Sequence, residues 1–573
     1  MGKLTSKKRI AIIGGGPSGL FMYKRLVESG QTDIEIEIFE RKGFLGAGMP
    51  YSEEGANVEH ITNVSDNEIP GIYNSIEDWV KVAPQAVLDK FQINSANFNE
   101  YKVLPRLFFG EYLKAQFGLL KAAADHKGIV TRVHLNSLVN DLIDRPERQM
   151  VSVVTAQTGS SDFDYVMICS GHNWPQKFEG KIDGYFDSPY PPKKLLVKIN
   201  HPVALMGSSL TAIDAVRTLA KLNGNFEDGE DGKLVFTLNE DSKDFKLILH
   251  SRNGLLPAVR FHLKDSHLGK NETISQQEFK RNIQENGGFV DLDYVFEKNF
   301  KASFIKNDPA FHKIIKDMNL EEFVDAMMNM RESMEPFDLF KKEYEEAERS
   351  IARKESIYWK EALAILSFAM NYPAKYLSAE DMERLQHVLM PLISIVIAFV
   401  PQSSCRVLMA LHEAGVLEIV TVGKDSEVEP VESGGIVYHY TDSKGEKLAI
   451  PFKTFVNCVG QPHLSFEDFP FKSLIDQGVV SPAKLKFKSD EHAKNAIDDG
   501  NELVQEENGT YFLKVPGITI NDNFNVININ GEANARIYIM AVPYIGGYNP
   551  DYSGIDFCES ASEAVVKSLF STT

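Results

Sequence analysis

The chain has 573 residues, 43% of them hydrophobic, and a formal net charge of −19. That length provides for two or three domains, and the acidic balance disfavours nucleic acid or an anionic membrane surface as partner. The four cysteines, Cys169, Cys405, Cys458 and Cys558, are scattered with no C-x-x-C, which argues against a zinc ribbon or a redox-active dithiol and fits a reducing, cytoplasmic setting.

The opening "MGKLTSKKR" carries no apolar leader, so no signal peptide is expected. Residues Arg9 to Ile13 read as a buried strand, and Gly14, Gly16 and Gly19 follow it as G-x-G-x-x-G. The first glycine permits a tight turn, the second lets the backbone approach a pyrophosphate, and the third lets a helix pack close to the strand. The helix, Leu20 to Ser29, offers free N–H groups and a positive dipole end to an anion, and Gly30 stops it. "DIEIEIFE" then alternates apolar and acidic residues, as a half-buried strand does. It ends at Glu40, about 20 residues past the last glycine, where an acid hydrogen-bonds a ribose hydroxyl.

"DYVMICSGHNWP", residues 164–175, is a buried strand ending at a small residue and glycine. "FDSPYPPKK", residues 186–194, reads as a linker because clustered prolines stop regular structure. "HPVALMGSSLTAIDAVRTLA" repeats the opening motif, with Gly207, Ser209 and Ala212 in the same spacing. The strand that returns after it, "FKLILHSRNGLLP", ends at Ser251 and Arg252 rather than at an acid. An acid would repel a 2′-phosphate and an arginine can pair with it, which favours NADPH over NADH.

From Lys270 to Pro401 the pattern changes. "SQQE" (Ser275 to Glu278) is a capping box, and "DLFKKEYEEAERSIARKESIYWKEALAILSF" reads as helix throughout. A helical insertion capping the NAD(P)H domain is expected, with Met318, Met327, Met328, Met330 and Met334 able to line an adaptable pocket or simply fill a core. "VLMPLISIVIAFV", Val388 to Val400, is too short to span a bilayer and is broken by Pro391 and Ser394, so it is expected as a buried helix. "TFVNCVGQPH", residues 454–463, is a second buried strand ending at a small residue and glycine. The C-terminal stretch holds a strand, a glycine-rich loop and a final helix.

This layout resembles the two-dinucleotide-binding-domain flavoproteins, which include the class B flavoprotein monooxygenases. "ICSGHNWP" and "NCVGQP" are similar to their paired domain-crossing motifs, and "GAGMPYS", "HITNV", "PRLFFGEYL", "GSSLTAID" and "SRNGLLP" resemble the bacterial FAD/NAD(P)-binding family. The resemblance covers the chain outside roughly residues 270–401. It implies an α/β fold of two interleaved Rossmann-like domains with a helical insertion. The FAD domain would take residues 1–175 and 455–573, the NAD(P)H domain 195–270 and 401–454, and the insertion 271–400.

FAD is then expected on Gly14, Gly16, Pro17, Ser18, Gly19, Glu40, Arg41, Gly48 and Tyr51, and NADPH on Gly207, Ser208, Ser209, Leu210, Ser251 and Arg252. Ser553, Gly554 and Ile555 would stand beside the flavin ring, with the final helix pointing its positive end at the ring. Arg106 could reach either cofactor. Asn63, in "HITNV", would contact the flavin as the catalytic residue, and His60 is a proton donor or a packed imidazole. Hydride from NADPH to FAD and onward to O2, with a small-molecule substrate and no metal, is the expected chemistry. Baeyer–Villiger enzymes carry F-x-G-x-x-x-H before the second nucleotide fold. Here Phe178 and Gly180 are followed by Gly184, which favours N- or S-oxygenation over ketone oxygenation. A reductase serving a quinone or other carrier, and a non-catalytic flavin-binding protein, are the rival classes.

Overall fold

The computed structural model describes residues 7–157, 159–230, 232–264, 274–461, 463–550 and 554–571. Its first sheet is built around β1 (Lys8–Ile13), β2 (Ile34–Phe39) and β5 (Val130–His134), with β6 (Tyr165–Ile168) on the other side of β1 and β11 (Ala533–Ile539) beyond it. These five strands run parallel, and Asn525–Ile527 adds an antiparallel edge. Helix α1 (Pro17–Glu28) follows β1, and the short strands β3 (Ile61–Ser65) and β4 (Val103–Pro105) pair ahead of α2 (Arg106–His126).

The alternation in β2 has a different cause from the expected solvated face. Glu37 is buried and ion-paired with Arg9 at 2.8 Å and bonded to His134 at 2.8 Å. Burial alone would raise its carboxyl, but Arg9 and His134 outweigh that and hold it below the ordinary value.

The second sheet is wholly parallel: Tyr185–Phe186, β10 (Thr454–Asn457), β7 (Pro202–Met206), β8 (Lys246–Ser251) and β9 (Leu417–Thr421), in that order. Helix α3 (Leu210–Asn223) follows β7. Strand β10 pairs with β7 from Val203 to Met206, so the chain leaves this domain after Asn457 rather than at residue 455. Likewise the domain begins with Tyr185–Phe186, ahead of the expected residue 195. A strand's sheet is decided by distant partners, which a local pattern does not display.

The insertion is helical from Gln276 to Val396 among its described residues. Its first helix carries the capping box, with Ser275 Oγ accepting from the Glu278 N–H and the Glu278 carboxylate accepting from the Ser275 N–H. The long charged segment is two helices, Pro336–Arg353 and α4 (Tyr358–Ala369), parted at Lys354 in the left-handed region with φ 54°. The break lets Glu343 of the first helix receive Lys360 of the second at 2.9 Å and Arg331 at 2.7 Å, all three buried. The apolar run 388–400 contributes the short helix α5 (Met390–Val396), and α6 (Gln402–Glu413) returns the chain to the second sheet.

The insertion does more than cap the NAD(P)H domain. Leu363, Ile393 and Phe300 belong to one apolar core with Ile10, Phe108 and Val166 of the first domain. Ala364, Phe337 and Phe399 join the core of the second, with Val203 and Leu247. Tyr376 also donates to Asp522 at 2.9 Å, and Glu380 accepts the Lys488 and Ser489 N–H groups. Among the described residues no helix is long and apolar enough to cross a membrane.

Candidate active site

The first glycine loop has the geometry its spacing implies. Gly14 lies at φ +106°, and a Cβ there would stand 2.6 Å from the Cys169 carbonyl. A Cβ on Gly19 would stand 2.0 Å from the Gly14 carbonyl, so only glycine lets α1 rest on the loop. At Gly16 the neighbour is Gly48 Cα, 3.2 Å from an added Cβ, so two backbones meet here with no side chain between them. Gly16 is also the N-cap of α1, and no side chain caps that helix, which leaves its first N–H groups for a ligand. Ser18 Oγ lies 3.3 Å from Cys558 Sγ, and Pro17 opens the helix.

Glu40 is buried below this loop, where each carboxylate oxygen accepts one backbone N–H, from Gly15 at 2.7 Å and from Lys42 at 2.8 Å. Arg41 beside it is exposed. Ser170 Oγ and His172 Nδ1, just past β6, are buried and have no hydrogen-bond partner among the described residues. An open glycine cradle, an uncapped helix and two orphaned polar atoms fit a bound dinucleotide.

The second fingerprint repeats the arrangement. Gly207 lies at φ +105°, with the Cys458 carbonyl 3.1 Å from an added Cβ. Ser209 is the N-cap of α3 and its side chain caps nothing. Ser208 Oγ donates to the Leu255 carbonyl at 2.7 Å and reaches Ser251 Oγ at 3.2 Å, tying the loop to the end of β8. Ser251 is buried, and Arg252 is exposed with no ion-pair partner among the described residues.

One cavity of about 380 Å³ draws these parts together. Tyr51 and Asn63 line it from the first domain, Ser209 and Leu210 from the second fingerprint, and Gly554, Ile555 and Asp556 from the start of α7 (Gly554–Phe570). The positive end of α7 thus faces the cavity. Ser553 lies outside the described residues. Burial pushes the Tyr51 phenol up to about 12, so it stays protonated.

Buried polar contacts tie the first domain to the second. Arg106 spends its guanidinium on protein: Nη2 is 2.6 Å from Asp214 Oδ2, and Nε donates to the Ile61 carbonyl at 3.2 Å. Asp214 sits on α3, and Tyr190 donates to the same carboxylate oxygen at 2.7 Å. His60 is a packed imidazole. Its Nδ1 accepts the Asn57 N–H, which leaves Nε2–H facing the Asp214 carbonyl and Thr218 Oγ1 at 3.2 and 3.0 Å. Burial drives its pKa down. Arg260, which sequence reading passed over, is buried and donates to the Asn63 carbonyl, to Ser65 Oγ at 2.8 Å and to the Glu68 carboxylate. It clasps the strand carrying Asn63 to the second domain.

The insertion supplies the remaining wall through Ala364, Ser367, Met390, Ile393, Ser394, Ile397, Ala398 and Phe399. Two roles were open to the five methionines, and none of them lines this cavity: Met327 is core, Met318 and Met328 pack against that core, and Met330 is exposed. The departure at Gly184 also has a steric cause. Its φ is +73°, and a Cβ would stand 2.0 Å from the Lys453 carbonyl, so no histidine fits there.

Residues 11–173 match the FAD-NAD(P)-binding family, and residues 275–397 match the YdhS-like middle domain. The uncharacterized protein YdhS of Escherichia coli is 29% identical over 569 residues, covering 98% of this chain and 97% of that protein. A thiol-specific monooxygenase of Saccharomyces cerevisiae is 28% identical over 194 residues, covering 32% of this chain and 39% of its own. Among solved structures, the ornithine N-hydroxylase of Kutzneria sp. 744 aligns at a TM-score of 0.46 and 12% identity over 99% of each chain. Residues 11–173 thus carry an FAD/NAD(P)-binding domain, and part of the chain is similar to a flavin-containing monooxygenase of Rattus norvegicus, 28% identical over 174 residues.

Proposed function

We propose that the chain is a monooxygenase that uses NADPH and O2 to oxygenate a small molecule at nitrogen or sulfur. One oxygen atom enters the substrate and the other leaves as water, with NADPH and a proton supplying the two reducing equivalents. Bound FAD supplies the route from hydride to oxygen. The observation that carries this reading is a cavity lined by both nucleotide folds and by the insertion.

The chain's own residues suit that task. Gly14–Gly19, Glu40, Arg41 and Gly48 would hold FAD, with Gly554 and Ile555 at its ring. Gly207–Leu210, Ser251 and Arg252 would hold NADPH. Asn63 Nδ2 makes one long contact, 3.5 Å to the Ala398 carbonyl, and its second N–H is the donor this reading directs into the cavity. The apolar insertion wall excludes water from the reacting atoms. A thiol relay does not fit, because all four cysteines are free and buried and burial raises each thiol pKa. The glycine required at position 184 supports nitrogen or sulfur over a ketone carbon.

The test is to supply labelled oxygen to the FAD-loaded enzyme with NADPH and a panel of amines and sulfides. One labelled atom in product, with peroxide release falling as substrate rises, is the expected result. Stoichiometric peroxide with every compound, together with efficient electron transfer to a quinone, would make the enzyme a reductase.

A further inference from the structure

We infer that the wall built by α4 and α5 is a subsite for the apolar body of a non-anionic small molecule, with Ser367 anchoring its one polar group. The inference rests on the oxygenase reading and names the substrate class for that site. Ser367 is 1% exposed, lines the cavity and leaves its Oγ without a hydrogen-bond partner among the described residues. A helical serine in such a place ordinarily bonds a carbonyl of the preceding turn, as Ser394 does to Pro391 at 3.0 Å. A buried hydroxyl left unbonded is costly and gains most from a partner brought by a ligand.

The surroundings fix the ligand's character. Met390, Ile393, Ile397 and Phe399 present hydrocarbon and a thioether. Among the described residues, the charged side chains on the cavity are the carboxylates of Glu68 and Asp556, and Glu68 is already paired with Arg260. No cationic side chain among the described residues lines it, so an anion would enter without a counter-charge. Met390 gives the apolar wall room to adapt to shape.

The probes are acetophenone, ethylbenzene and benzoate, of similar size but differing in one polar group. Each is titrated into FAD-loaded enzyme with NADP+ and no reductant, and binding is read from the flavin absorbance. Acetophenone should bind roughly three- to tenfold tighter than ethylbenzene, the worth of one neutral hydrogen bond. Benzoate should give no shift. Ser367→Ala should erase the difference between acetophenone and ethylbenzene, and Ser367→Thr should restore it. Ile393→Trp, which fills the cavity, should abolish all shifts. Tight benzoate binding, a ratio unchanged by Ser367→Ala, binding unaffected by Ile393→Trp, or no shift with any probe would overturn the subsite. Flavin reduction by NADPH in the wild type is followed separately: its failure would sink the oxidoreductase reading, whatever the probes do.

Discussion

Arg106 and Asp214 form a hydrogen-bonded ion pair of 2.6 Å that joins the start of α2 in the first domain to α3 in the second. Burial alone would raise the Asp214 carboxyl, but Arg106, His60 and Tyr190 hold it below its ordinary value. Arg106→Ala leaves a buried carboxylate unpaired, which should destabilise the protein by about 3–5 kcal/mol. The sign with pH follows from the lowered carboxyl: the pair's contribution is intact above the ordinary carboxylate range and disappears as pH falls through the folded value. Urea unfolding of wild type and variant at neutral pH and near pH 3 checks both statements. A difference that persists undiminished in acid would contradict them.

Gly16→Val should yield protein with little or no FAD. The added side chain enters the gap between Gly16 and Gly48, where a single Cβ already stands 3.2 Å from backbone. The measurement is FAD released on denaturation per mole of chain. Stoichiometric FAD in the variant would put the cofactor elsewhere.

Arg252→Ala should lose roughly tenfold or more in the efficiency of flavin reduction by NADPH, and little with NADH. One charge-assisted contact to the 2′-phosphate accounts for about 1.5–3 kcal/mol. Arg252 is exposed at the end of β8, so its removal disturbs no core. Equal losses with both coenzymes would refute the role.

Asn63→Ala should still be reduced by NADPH but release more hydrogen peroxide per NADPH consumed. The amide is one of the donors on the cavity that the start of α7 also lines. Arg260→Gln, which loosens the strand beneath Asn63 without altering its side chain, should shift peroxide yield in the same direction and by less. Unchanged coupling in Asn63→Ala would remove that residue from the chemistry.

His250 makes stability depend on pH in a window of its own. Its ring is 3% exposed and stacked on Tyr438 with centroids 4.1 Å apart, and burial lowers its pKa from 6.5 to about 4. The folded state keeps the ring neutral where the unfolded chain protonates it. Its contribution is therefore complete above pH 6.5 and falls by about 3 kcal/mol as pH drops toward 4. His250→Phe keeps the stacked ring and should flatten the stability profile over that interval. An identical slope in the two proteins would assign the pH dependence to other groups.

Residues whose roles are local were legible in the sequence. Gly14 and Gly19 are dictated by backbone that lies within a few residues of them or directly under their loop. The alternation of β2 was legible as a strand, but the pairing of Glu37 with Arg9 and His134 was not, because it depends on which strands flank β2. Arg106 looked free because its partner lies 108 residues away. The insertion was legible as helix, but which of its residues face the cavity was not, because a count of methionines locates flexible side chains and not the direction in which a helix faces. Ser367 carries no sequence signal at all, since an orphaned hydroxyl is defined by what three-dimensional packing withholds from it.

The cavity wall contributed by α4 and α5 comes from one contiguous stretch, residues 358–396, while the glycine loops and Asn63 lie outside it. On the proposed reading, substrate contacts and cofactor contacts therefore come from different stretches of the chain. Exchange of the middle segment between relatives could redirect what the enzyme admits and leave its electron path intact. Recombination at the segment's two boundaries is an evolutionary shortcut that the topology itself makes available.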